Sequence, residues 1–276
     1  MPAKKSKLKS ASSAIGIFDS GIGGLTVANA IRKELPRESL IYFGDTAHLP
    51  YGDKSPDSIK YYSIRIAQFL LDKRCKIIVI ACNTASSYAY ETVKDFVGGR
   101  VPVINVIDPV IDYVLRKPDI HKVGVIGTKG TIKSDIYARK LKAKNKKIEV
   151  ESLATPLLAP MIEDGFFNNK ISKSIVSSYL SNRRLSKIDT LILACTHYPL
   201  IRHEVEEFYK KKVEIIDTAG VVAEKVKLVL TEMKLLGNKS NPKRHFYVSD
   251  FTKSFEESTR YFFKDKLHLE KANFWK

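Results

Sequence analysis

Apolar runs of four to six residues, rich in Ile and Val, alternate along this chain with longer amphipathic stretches. A short apolar run bounded by turn residues reads as a strand buried on both faces. A longer stretch with apolar positions every three or four residues reads as a helix lying over it. The pattern predicts strands at 14–18, 40–43, 77–81, 103–107, 123–126, 148–153, 190–194, 213–216 and 246–248, with helices between them. Pro56 suits the first turn of a helix running to about residue 73, and Asp108-Pro109 and Tyr198-Pro199 mark two further helix starts. Strands and helices in strict alternation make parallel sheets, so the fold class is α/β.

The pattern also repeats. Ile77-Ile78-Val79-Ile80-Ala81-Cys82-Asn83-Thr84 has a counterpart in Leu191-Ile192-Leu193-Ala194-Cys195-Thr196-His197, and the stretch 90–96 echoes 203–208. Ile15-Gly16-Ile17-Phe18 before a glycine turn parallels Val123-Gly124-Val125-Ile126, at nearly the same separation as the two cysteines. The chain therefore reads as a duplication: two similar parallel-sheet α/β domains related by a pseudo-twofold axis, with the active site between them. The simplest partition is a disordered basic tail over residues 1–13, a first domain made of 14–106 plus 215–276, and a second domain over 107–214. It takes the Asp217 strand to have no duplicate.

In a parallel sheet, ligands bind at the carboxyl ends of the strands, and both cysteines follow a strand directly. A thiol there meets backbone N–H groups and a helix N-terminus that favour its thiolate. Two such thiols on either side of a pseudo-twofold axis can approach one carbon from opposite faces, the arrangement needed to invert a stereocentre. Cys82 and Cys195 are the candidate catalytic residues, and Cys75 is expected to be packing.

Composition narrows the setting. With 276 residues, 44% of them hydrophobic, the chain can bury a core of two ordinary domains. Its apolar runs are far too short to cross ~30 Å of hydrocarbon. The lysine-rich start lacks the apolar stretch of a signal peptide, and three cysteines make no disulfide framework, so a cytoplasmic protein with free thiols is expected. The net charge of +17 is spread over the tail, 139–147, 183–184 and 210–212 with no nucleic-acid-reading motif, so nucleic acid is not the expected partner and solvated helix faces are. No membrane partner is expected either.

Three loops carry further candidates. Asp19-Ser20-Gly21-Ile22-Gly23-Gly24 follows a strand and opens a helix, where backbone N–H groups can cradle an anion. It lacks the third glycine of a dinucleotide fingerprint, and Asp19 would oppose a pyrophosphate. A zwitterion suits it better, with Asp19 facing an ammonium and the amides a carboxylate; Asp19 capping its own helix is the alternative. Pro50-Tyr51-Gly52, in a turn-rich loop after the second strand, offers the Tyr51 and Gly52 amides as carboxylate donors. Cys195-Thr196-His197 pairs a thiol with a base two residues on. Metal is not expected, because the cysteines have no C-x-x-C spacing and no H-x-x-x-H accompanies them.

Taken in order, Phe18-Asp19-Ser20-Gly21-Ile22-Gly23-Gly24, Gly44-Asp45-Thr46 with Pro50-Tyr51-Gly52, Ala81-Cys82-Asn83-Thr84-Ala85 and Leu193-Ala194-Cys195-Thr196-His197-Tyr198-Pro199 resemble the motifs of the glutamate racemase family. The resemblance runs from about residue 14 to the Asp217 strand and on towards Asp250; the lysine-rich start and 267–276 fall outside it. It implies cofactor-independent interconversion of L- and D-glutamate, supplying D-glutamate for peptidoglycan. The family's catalytic cysteines fall on Cys82 and Cys195, and its substrate contacts on Asp19, Ser20, Tyr51, Gly52, Asn83, Thr84, Thr196 and His197. His197 would aid Cys195 and Asp19 would aid Cys82. A sister aspartate racemase is the nearest rival. Activation by a cell-wall precursor and a homodimeric state stay open.

Overall fold

The computed structural model describes residues 10–263 and 267–275. It contains two all-parallel sheets. Strands β1 (Ile15–Asp19), β2 (Leu40–Gly44), β3 (Ile77–Ile80) and β4 (Val103–Asn105) belong to the first. Strands β5 (Lys122–Gly127), β6 (Glu149–Ala154), β7 (Thr190–Ala194) and β8 (Glu214–Asp217) form the second. Two late strands, β9 (Arg244–Val248) and β10 (Leu269–Lys271), extend the first sheet beyond β2.

The order β2-β1-β3-β4 in the first sheet is matched by β6-β5-β7-β8 in the second, as the repeated motifs lead one to expect. Strands β1, β2, β3 and β7 are buried at every position, because helices cover both faces of a parallel sheet and leave no polar side to alternate with. The edge strand β6 is only partly buried and carries Glu149 and Glu151, which blunt its free edge.

Local chemistry sets the boundaries. The helix Pro56–Asp72 starts where Ser55 Oγ accepts the Ser58 N–H at 3.2 Å and Pro56 needs no partner. Strand β4 stops two residues short of the expected 107 because Asn105 Oδ1 accepts the N–H groups of both Ile107 and Asp108 at 2.8 Å. That turn starts the helix Asp108–Leu115. The helix Asn83–Val97 ends at Gly98, whose φ of +55° suits a residue without Cβ.

Three expectations need correction. The Asp217 strand does have a duplicate, since β8 stands in the second sheet where β4 stands in the first. A domain boundary at 214/215 would therefore cut through β8, which pairs with β7 from Glu214 to Asp217; the chain leaves the second sheet only after Asp217. Of the expected disordered tail, residues 1–9 lie outside the described residues. Residues 10–13 form a turn, with the Ser13 N–H on the Ser10 carbonyl and the Lys76 ammonium on the Ala11 carbonyl. Strand β10 was not anticipated, and Leu269, Glu270 and Lys271 give little periodic signal in three residues. Among the described residues no helix is long and apolar enough to cross a membrane.

Candidate active site

The carboxyl ends of β1, β2, β3 and β7 converge on one cavity of about 250 Å³. From the first sheet it is lined by Ser20, Tyr51, Gly52, Cys82, Asn83 and Thr84; from the second by Thr128, Glu163, Cys195, Thr196 and His197. Nine of the ten residues expected from sequence thus meet in one place. The tenth, Asp19, is fully buried at the end of β1 without lining the cavity.

Each thiol is built in by its own strand–turn unit. Cys82 Sγ caps the helix Asn83–Val97, accepting the Ala85 N–H at 3.4 Å, and lies 3.5 Å from Ser20 Oγ, to which it donates. Cys195 Sγ lies 3.6 Å from His197 Nδ1, and His197 Nε2 lies 2.7 Å from Glu163 Oε1. Both thiols are 5% exposed, so each can reach a small ligand and neither is open to bulk solvent.

Glycines let the two halves close. A Cβ at Gly23 would sit 2.4 Å from His197 Cε1, and one at Gly52 would sit 2.9 Å from Thr128 Cβ. Gly23 therefore makes room for a side chain of the second half. Across the same seam Thr84 Oγ1 meets Thr128 Oγ1 at 2.9 Å, and Thr26 Oγ1 donates to the Thr196 carbonyl at 2.9 Å.

Electrostatics separate the thiols. Burial, reinforced by the charge of Asp19, pushes the Cys82 thiol up to about 12; the Ala85 N–H and Ser20 only partly offset this. The helix N-terminus expected to favour a thiolate is thus outweighed at Cys82. Burial also raises the Asp19 carboxyl above its usual range, against the opposing pull of His197 and the N–H groups of Gly24, Gly21 and Ser20. Asp19 Oδ2 accepts from Gly21 and Gly24 at 3.1 and 3.0 Å, close to the capping role held open above, while Oδ1 is buried with no partner among the described residues. At His197 burial disfavours the imidazolium, yet hydrogen bonds and charge from Cys195 and Glu163 hold its pKa well above the ordinary value.

Residues 25–226 match the Asp/Glu/Hydantoin racemase family. The glutamate racemase of Geobacter metallireducens is 42% identical over 255 residues, covering 92% of this chain and 94% of that protein. The chain belongs to the glutamate racemase family. A second family member, from Aquifex pyrophilus, is 47% identical over 209 residues, covering 76% of this chain and 80% of its own. Among solved structures, the glutamate racemase of Francisella tularensis subsp. tularensis in complex with D-glutamate superposes with a TM-score of 0.89 at 38% identity, covering 95% of this chain and 98% of that one.

Sequence reasoning missed several residues of this racemase fold that complete the site. Glu163 lies in the short helix Leu158–Glu163, with no local motif to mark it as the partner of His197. Tyr137 donates its hydroxyl to Asn83 Oδ1 at 2.7 Å, and Asn83 Nδ2 is buried without a partner among the described residues. Thr128 was visible only as part of a glycine-flanked turn after β5.

Proposed function

We propose that the protein interconverts L- and D-glutamate by direct proton transfer at the α-carbon, with Cys82 and Cys195 acting from opposite faces and no cofactor. The observation that carries this reading is two strand-end thiols, one from each half of the fold, lining one small cavity with different proton-handling partners.

The α-proton is a very weak acid, so the base must be a positioned thiolate and the new proton must come from a second group. One thiolate takes the α-hydrogen as a proton, and the C–H electron pair stays on carbon as a carbanion delocalised into the carboxylate. The opposite thiol then forms the new C–H bond and is left as thiolate. A single cysteine would only return the proton to the face it came from. His197, held by Glu163, balances charge at Cys195. Asp19, buried behind Cys82, opposes the thiolate there by its charge and so favours the thiol form that delivers a proton to carbon.

The N–H groups of Asn83 and Thr84 open a helix and lack intrahelical acceptors. With Tyr51-Gly52 and Thr196-His197 they bind the carboxylates and spread the developing negative charge. The product supplies D-glutamate for peptidoglycan. Stimulation by a cell-wall precursor and dimerisation are open to assay with and without the precursor and to light scattering.

The test is circular dichroism of L-glutamate incubated with purified protein dialysed against chelator, beside Cys82→Ala and Cys195→Ala. Ellipticity should decay to zero with the wild type and persist with either variant, because losing a positioned acid or base costs ~10²- to 10⁴-fold. Either variant retaining more than about a tenth of wild-type turnover refutes the two-thiol mechanism. Restoration of a lost activity by metal or pyridoxal phosphate refutes the cofactor-free one, and a larger kcat/KM for aspartate refutes the substrate.

A further inference from the structure

We propose that Trp275, close to the carboxyl terminus, is a positioning residue for the substrate loop, acting through Asp45 on Tyr51. The inference rests on the reading above that Tyr51-Gly52 binds substrate, and it deepens that reading.

Asp45 is completely buried, and its carboxylate is the meeting point of four side chains. Oδ2 accepts the Tyr51 hydroxyl at 2.7 Å, Oδ1 accepts Ser249 Oγ at 2.7 Å and the Trp275 indole N–H at 3.0 Å, and His48 Nδ1 lies 3.0 Å from both oxygens. Tyr51 lines the cavity, so the tilt of the Asp45 carboxylate sets where the Tyr51 ring sits and hence where the Tyr51-Gly52 backbone points. Oδ1 keeps Ser249 and His48 when the Trp275 donor is lost, so that loss loosens the carboxylate and shifts its tilt without freeing it.

The terminal segment is anchored so that it can perform this service. Strand β10 pairs with β9, and the Ala272 N–H continues the ladder to the Val248 carbonyl at 2.9 Å. Phe274 then packs edge-on against Phe43 and Phe69, while the Arg65 guanidinium donates to the Phe274 carbonyl at 3.1 Å. Trp275 arrives edge-on to His48, with ring centres 4.6 Å apart, and to Tyr62, 5.3 Å apart. The ring contacts alone would make it a cap on an aromatic cluster. The indole N–H reaching a buried carboxylate that also holds a cavity residue is what a cap does not need.

Trp275→Phe keeps an aromatic ring and removes only the donor, so it separates the two roles. The expected result, from initial rates of L- to D-glutamate conversion, is a KM raised about three- to tenfold with kcat within about twofold, as befits the loss of one donor, felt through Tyr51, at a carboxylate that keeps its other donors. Because the effect travels through Tyr51, the double variant Tyr51→Phe/Trp275→Phe should show no larger KM than Tyr51→Phe alone. A Trp275→Phe KM within twofold of wild type overturns the assignment, as do additive effects in the double variant. A melting curve checks that Trp275→Phe is folded; if it is not, Ser249→Ala removes another donor to the same Asp45 oxygen and must raise KM in the same way. Failure of the underlying reading looks different, since the wild type would then not racemise glutamate at all.

Discussion

Replacing Gly23 by alanine tests whether closure of the two halves sets the Cys195–His197 pair. The added Cβ would lie 2.4 Å from His197 Cε1, 2.6 Å from Nδ1 and 2.7 Å from Thr196 Oγ1, where ordinary contact begins at 3.4 Å. The ring must therefore recede by about 1 Å in a close-packed interior. It cannot do so freely, because Nε2 is bound to Glu163 at 2.7 Å and Nδ1 sits 3.6 Å from Cys195 Sγ. A 1 Å misplacement of catalytic groups costs ~10²-fold, so kcat/KM should fall by about that factor. Overpacking costs ~1–3 kcal/mol, which lowers Tm by several degrees in a chain of this size. Polarimetric or dichroic initial rates give the first number and a thermal melt the second. Gly220→Ala is the control: among the described residues nothing lies within 4 Å of an added Cβ, it sits in the helix Thr218–Glu232, and it should keep full activity and add ~0.5–1 kcal/mol. A folded Gly23→Ala enzyme retaining more than about a third of wild-type kcat/KM would show that the seam does not position the pair.

Three other outcomes follow from the same geometry. Glu163→Gln removes one of the partners that hold His197 above its ordinary pKa; the imidazolium is then lost at lower pH, so the alkaline limb of kcat/KM should move down and the maximum fall about tenfold, and an unmoved limb counts against the Glu163–His197 pair. Cys75 is 3% exposed and burial pushes its thiol up to about 12, so peptide mapping after alkylation at pH 8 should find it unmodified in folded enzyme, and Cys75→Ala should stay active. Lys76→Met strands the buried Glu38 carboxylate, 2.6 Å from the Lys76 ammonium, and should cost ~3–5 kcal/mol in urea unfolding while sparing kcat/KM; a loss below about 1 kcal/mol would mark the pair as no stronger than a surface one.

What the sequence shows of this protein depends on how local the signal is. Cys82 and Cys195 are legible because strand, thiol and helix start follow one another directly, and the repeat doubles the signal. The convergence of Ser20, Tyr51, Asn83 and Thr196 follows from the rule that parallel strands present their carboxyl ends to ligand. Glu163 is not legible, since its value comes from meeting His197 across the second half of the fold. The Asp45–Trp275 bond spans 230 residues of chain and leaves no periodic trace. The Gly23 requirement was readable as a tight turn, but its cause, a histidine ring from the other half, was not. The misplaced crossing at 214/215 has the same origin: a four-residue strand pattern does not say which sheet it joins.

Duplication and asymmetry are reconciled by the thermodynamics of the reaction proposed for this site. The two halves repeat the strand order and the thiol position, yet Cys82 is paired with Ser20 and Asp19 while Cys195 is paired with His197 and Glu163. L- and D-glutamate have equal free energies in water, so kcat/KM must be the same in both directions at every pH, whatever the environment of each thiol. Unequal thiols therefore cannot bias the reaction; they only divide the barrier differently between binding and turnover. A buried carboxyl beside a high-pKa thiol on one side and a histidine held above its ordinary pKa on the other are two ways of managing a single mobile proton. The repeated backbone is bound by geometry to put both thiols at the same depth, and the side chains around them are free to differ because the equilibrium constant of one removes any cost of doing so.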